Sequence, residues 1–196
     1  MSAVSRTPLS VAVAAATALL LSACTSGGTS GGGGDTNFVM GENGISTVEK
    51  GERTAAPDLS GETVDGKRLD VASYQGKIVV VNVWGSWCAP CRAEAPNFQK
   101  VSTDLKGRGV QFVGINTRDT STSNARAFEE EQGVTYPSLY DPTGRLMLRF
   151  KKGTLNPQAI PSTLVLDRDG KIAARSLAAL SEEKLRAMID PILAEK

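Results

Sequence analysis

Residues 78–91 read Ile78-Val79-Val80-Val81-Asn82-Val83-Trp84-Gly85-Ser86-Trp87-Cys88-Ala89-Pro90-Cys91. The run Ile78 to Val83 is β-branched apart from Asn82, which predicts a strand buried on both faces. From Cys88 the pattern turns helical, with Phe98, Val101 and Leu105 on one face, so a helix is expected over Cys88 to Leu105, ended by Gly107 to Gly109. Pro90 falls in the first turn, where a missing N–H costs nothing, and Pro96 is expected to interrupt the helix and kink it. Two cysteines therefore stand at a strand-to-helix junction. The free N–H groups and the dipole of a first helical turn favour negative charge. A thiolate at Cys88 is thus expected to be stabilised, its pKa falling below the free value of about 8.5. The thiolate is the attacking species in disulfide exchange, and the spacing lets Cys91 reach back to Cys88. Trp87 stands ready to cover the pair with apolar surface.

Outward from this centre the chain reads as one domain. Thr63-Val64 and Arg68-Leu69 flank an Asp65-Gly66 turn, a short hairpin. Val110 to Ile115 is a second buried strand. Ser123 is expected to cap a helix running to Gln132, with Gly133 ending it. Tyr136 to Tyr140 is a short extended piece, and Arg145 to Phe150 a short helix. Thr163 to Asp167 and Lys171 to Ser176 flank Asp169-Gly170 as a hairpin. Ser181 caps a last helix with Leu185, Met188, Ile189, Ile192 and Leu193 on its apolar face. This order predicts an α/β domain, a mixed central sheet with helices on both faces.

Composition narrows the chemistry. The chain has 196 residues, 22 Lys plus Arg against 21 Asp plus Glu, three cysteines and no histidine. The balanced charge, with no basic run, speaks against a nucleic-acid partner. Without histidine there is no Ser-His-Asp or Cys-His centre. A zinc knuckle at Cys88 and Cys91 would need two further ligands, which the domain does not offer. No metal and no cofactor is called for. An inert structural disulfide is the competing reading of the pair.

The N-terminus reads as a targeting segment. Residues 1–23 lack acids, and Leu9 to Leu21 is apolar except for Ser10 and Thr17. That run is too short to span a membrane but fits a secretory signal core. Leu21-Ser22-Ala23-Cys24 resembles a bacterial lipobox, which implies cleavage before Cys24 and acylation of its sulfur; a plain secretory signal is the alternative. Thr25 to Gly34 is a Gly/Ser/Thr spacer, and residues 24–52 are expected to be a tether and extended leader before a domain at 53–196. The location implied is the extracytoplasmic face of a bacterial membrane, where thiols tend to be oxidised.

With Val81 to Pro96 reading VNVWGSWCAPCRAEAP, the chain resembles the TlpA-like and ResA-like thiol-disulfide oxidoreductases, which have a thioredoxin-like fold. The resemblance spans about residues 53–194 and includes Ala56-Pro57-Asp58, the Asp65-Gly66 hairpin, Pro137, Ile160-Pro161-Ser162-Thr163 and Asp169-Gly170. It implies that Cys88 is the nucleophile and Cys91 the resolving cysteine. It also implies that Pro161 is a cis-proline facing them, and that the Ile160 backbone pairs with a client strand. Glu94, one turn beyond Cys91, is implied to influence cysteine titration, a solvated surface acid being the alternative. Asn82 occupies the place of the buried acid of thioredoxins proper. The Arg118-Asp119 pair is given no role, and Lys151 to Gln158 is read as a surface loop, with shaping of the substrate groove the alternative.

The function implied is reduction of disulfides in extracytoplasmic clients, apocytochrome c among them, with electrons from a membrane thiol transporter of the DsbD or CcdA kind. A disulfide-donating oxidase is the alternative. A peroxidase of the same redoxin group is disfavoured, because Gly85 stands three residues before Cys88, where peroxiredoxins carry Thr or Ser.

Overall fold

The structure, a computed structural model, describes residues 36–41 and 43–195. The expected signal segment 1–23, Cys24 and the Thr25–Gly34 spacer lie outside the described residues. In chain order the elements are β1 (Val39–Met40), β2 (Ile45–Thr47), β3 (Ser60–Glu62), β4 (Arg68–Asp70), β5 (Ile78–Trp84), α1 (Ala89–Leu105), β6 (Val110–Thr117), α2 (Thr122–Gln132), β7 (Ser138–Asp141), β8 (Ser162–Leu166), β9 (Ile172–Ser176) and α3 (Glu182–Ala194). Short 3₁₀ helices at Val71–Tyr74 and Met147–Arg149 sit in the connections.

Seven strands form one mixed sheet in the order β1-β2-β9-β8-β5-β6-β7, and β3 pairs with β4 as a separate hairpin. β5 lies parallel to β6 and antiparallel to β8. All seven residues of β5 are buried, as its β-branched run requires. Ile78 and Val80 point into a core shared with Phe98, Val101 and Leu105 of α1 and Leu185, Met188 and Ile189 of α3. Val79, Val81 and Val83 point the other way, against Leu59, Val71, Leu146 and Met147. Two α-helices thus cover one face, and loops with the two 3₁₀ helices cover the other. α2 lies beside α1, burying Ala125 and Phe128 near Trp84 and Ala95. Among the described residues no helix is long and apolar enough to cross a membrane.

Three local expectations change. The stretch before residue 53, read as an extended leader, is extended but joins the sheet: β2 pairs antiparallel with β9, and Phe38, Ile45 and Val48 are buried. The exposed edge of β9 supplies the ladder that three residues alone could not. α2 begins after Ser121 rather than Ser123, so the cap lies two residues earlier. α1 stays helical through Pro96, because packing of Phe98, Val101 and Leu105 holds the turn on either side.

Candidate active site

β5 ends on the sheet's rim at Trp84, and Gly85-Ser86-Trp87 carries the chain into α1. Cys88 is the N-cap of α1, with extended backbone (φ −90°, ψ 105°), and its Sγ accepts the Cys91 N–H at 3.3 Å. The orphan N–H of the first turn is therefore aimed at the sulfur, the arrangement that stabilises a thiolate there once the pair is reduced. Cys88 and Cys91 are joined as a disulfide, with Cα atoms 5.3 Å apart. Cys88 is 4% and Cys91 1% exposed. On the other side of Cys88 the Ile160 carbonyl oxygen stands 3.8 Å from Sγ, and the Ile160–Pro161 peptide is cis. The first residue of β8, Ser162, pairs with Val83 near the end of β5, which is why this turn meets the cysteines.

Beneath the pair lies a polar cluster inside the core. Glu94 is 3% exposed, so the surface reading of this acid does not hold. Its Oε1 accepts from Asn82 Nδ2 at 2.9 Å, and its Oε2 accepts from the Leu180 N–H at 2.9 Å. Asn82 also donates to Thr163 Oγ1 at 3.3 Å. Burial pushes the Glu94 carboxyl up to about 7, against the pull of those two hydrogen bonds.

Arg118 and Asp119, which carry no role in the sequence reading, organise the rim. Asp119 is 2% exposed and accepts from Ser86 N at 2.9 Å, Ser86 Oγ at 2.5 Å and Asn116 Nδ2 at 2.6 Å. It fixes the loop that presents Trp87 and Cys88. Arg118, in a left-handed conformation (φ 58°), lays its guanidinium 4.4 Å over the Trp87 ring. Trp87 stays half exposed beside the disulfide. A Cβ at Gly85 would come 2.7 Å from Trp87 Nε1, so glycine is what lets the indole lie there. The signal for this rim is topological: β5 and β6 are parallel, so the loop after β6 lands next to the loop after β5. Lys151 to Gln158 is more than a surface loop. Leu155 is buried in the core, and Arg175 of β9 donates to the carbonyls of Gly153 and Thr154.

A buried disulfide at the head of a helix, with a backbone N–H aimed at its first sulfur and the half-exposed Trp87 ring next to it in sequence, is suited to exchanging disulfides. A chain with this sheet, this helix and this pair falls in the class of thioredoxin-fold thiol-disulfide oxidoreductases. The model of the AhpC/TSA family matches residues 53–175, and the chain belongs to that family. It is 34% identical over 153 residues to the thiol:disulfide interchange protein HelX of Rhodobacter capsulatus, covering 78% of this chain and 81% of that one. It is 25% identical over 137 residues to the thiol-disulfide oxidoreductase ResA of Bacillus thuringiensis, covering 70% and 76%. A secreted thiol-disulfide isomerase from Corynebacterium glutamicum superposes with a TM-score of 0.73 at 29% identity, covering 83% of this chain and all of that one.

Proposed function

We propose that the protein reduces disulfides of extracytoplasmic clients, with Cys88 as nucleophile and Cys91 as resolving cysteine. The observation that carries this is the Cys91 N–H aimed at Cys88 Sγ at the head of α1. It favours charge on Cys88 over Cys91. The client chain lies across the Trp87 ring and pairs with the Ile160 backbone beside Pro161, which supports recognition of extended segments by main-chain hydrogen bonds. Glu94, poised near neutrality beneath the pair, accepts a proton during resolution. Apocytochrome c, whose haem cysteines must be reduced, is the client the sequence resemblance suggests. A membrane thiol transporter of the DsbD or CcdA kind then recharges the pair. In this reading residues 1–23 are removed, Cys24 carries acyl chains, and the spacer lets the domain at 53–196 reach clients from the membrane surface.

The test is a trapping experiment. Cys91→Ser should accumulate a mixed disulfide through Cys88, seen by non-reducing gel and mass spectrometry, and Cys88→Ser should accumulate none. Trapping through residue 91 instead would overturn the assignment. In cells, acid quench and thiol alkylation should find the wild-type pair mostly reduced; a mostly oxidised pair would favour the oxidase. Mass spectrometry of the mature N-terminus should find acylated Cys24, and an unmodified start elsewhere would sink the anchor.

A further inference from the structure

Cys91 is buried on every side, and a client joined to Cys88 closes the front of the site. Resolution nevertheless requires Cys91 to lose a proton. Glu94 has both oxygens engaged by Asn82 and Leu180 and no exposed surface of consequence, so it holds a proton but does not by itself exchange it with solvent. Behind Cys91 lies a small cavity of about 10 Å³, lined by Cys91, Asn82, Trp84, Phe128, Val134 and Tyr136 among others. That is room for about one water, and Asn82, Cys91 and Tyr136 are polar residues of its lining. A second cavity of about 480 Å³, half open, lies between the β3–β4 hairpin and the segment 134–138, and holds Glu129. Val134 and Tyr136 line both cavities, so these two side chains form the wall between them.

We propose that Tyr136 and Glu129 form a rear proton path, leading from Cys91 and the cavity behind it to the solvent of the open pocket. The proposal rests on the reading of Cys91 as the resolving cysteine. In the step served, the Cys91 thiol yields its proton to the buried cluster and its thiolate attacks Cys88 Sγ. The Cys88–client S–S bond breaks as the Cys88–Cys91 bond forms. The electron pair leaves on the client sulfur, which takes a proton from solvent. The proton lost by Cys91 passes the one-water cavity and Tyr136, reaches Glu129, and leaves through the pocket.

The geometry at Glu129 suits an outlet. Among the described residues its Oε1 is buried without a hydrogen-bond partner, a free acceptor in the wall of the pocket. Burial pushes its carboxyl up to about 7; Asp65 adds to the rise, and Ser138 and Arg126 oppose it. Asp65, Lys67 and Arg68 of the hairpin, Tyr74 and Tyr136 are the other titratable groups lining the pocket. Burial, with the charges of Glu94 and Glu129 adding to it, keeps the Tyr136 hydroxyl neutral.

The test resolves the two half-steps separately in the full-length protein. A reduced sample is mixed with a model disulfide protein, quenched in acid, and the mixed disulfide is quantified by mass spectrometry across about pH 5.5 to 8.5 in H2O and D2O. Glu129→Gln and Tyr136→Phe should leave formation of the mixed disulfide unchanged in a Cys91→Ser background. With Cys91 present, its decay should slow about tenfold near neutrality, and the inflection near pH 7 should flatten. A merely structural defect would lower the melting temperature and slow both half-steps, and would overturn the path. Decay unchanged in rate and pH profile in both variants would overturn it while leaving Cys88 and Cys91 in their roles. If wild type forms no mixed disulfide through Cys88, the reading of the cysteines fails, and the path falls with it.

Discussion

Asn82 Nδ2 donates to Glu94 Oε1 across 2.9 Å, tying the middle of β5 to the second turn of α1 with neither side chain exposed. A neutral amide thus satisfies the buried acid without neutralising it. Burial outweighs the two hydrogen bonds, which leaves the carboxyl at about 7 against an ordinary 4.5. The folded state therefore holds this proton more tightly than the unfolded chain.

Stability depends on pH here with a definite sign. The contribution of the protonated acid is fully present below about pH 4.5 and is lost as pH rises through about 7, because the unfolded chain binds fewer protons over that window. At about 1.4 kcal/mol per pKa unit the loss is on the order of 3 kcal/mol, an upper figure. Glu94→Gln should keep the melting temperature flatter than wild type between about pH 5 and 8. Thermal unfolding monitored by circular dichroism checks this, and equal slopes in the two proteins would place the titration elsewhere.

Asp119 answers three donors at once, Ser86 N, Ser86 Oγ and Asn116 Nδ2. Asp119→Ala leaves the fully buried Asn116 amide without its acceptor and frees the loop before Cys88. A destabilisation of about 2–4 kcal/mol is expected, since each orphaned buried donor costs about 1–3 kcal/mol. Disulfide exchange should slow as well, because Trp87 and Arg118 lose their mutual register. Urea unfolding and turnover on a model substrate measure the two effects; unchanged stability would mean that water replaces the carboxylate.

The features legible in the sequence are local. A seven-residue strand rich in β-branched residues, a Pro at the head of a helix and two cysteines at its first turn are all visible within residues 78–91. The burial of Glu94 is not visible there, because it depends on the Leu180 N–H 86 residues away. Asp119 is equally opaque, its partner Ser86 lying 33 residues upstream. β2 escapes because Ile45-Ser46-Thr47 is too short to carry a period, and its ladder comes from β9. Tertiary partners, not local pattern, decide each of these.

Arg53 ties the start of the family-matched segment to Asp167 near its end and to Glu195 at the C-terminus of α3. Its guanidinium donates to Asp167 at 3.1 Å and to both oxygens of Glu195, at 2.8 and 2.6 Å, and its Nε donates to the Val48 carbonyl at 3.1 Å. The side chain is only 5% exposed. Arg53→Ala strands a nearly buried Asp167 and should cost about 3 kcal/mol, the usual penalty for breaking a buried pair from one side. Arg53→Lys, without the planar fork, should recover only part of it. The midpoint of urea unfolding reports both, and a neutral Arg53→Ala would mean that the network is no stronger than a surface pair.

Gly85 and Gly114 separate damage to the site from damage to the fold. At Gly114 a Cβ would overlap Ser138 Oγ outright and meet Trp84 Nε1 at 2.6 Å, two buried side chains that hydrogen-bond each other. Neither has room to move, so Gly114→Ala should cost about 3 kcal/mol or more through overpacking in the centre of the sheet. At Gly85 the first clash is with the Trp87 indole at 2.7 Å, and that ring is half exposed and free to swing out. The Thr117 carbonyl at 3.1 Å asks for only a small shift. Gly85→Ala should therefore lower stability by about 1 kcal/mol, while displacing Trp87 from beneath Arg118 and raising the KM for a protein disulfide severalfold. Steady-state kinetics beside thermal unfolding resolve the two variants. An unchanged KM in a folded Gly85→Ala protein would remove Trp87 from the client surface.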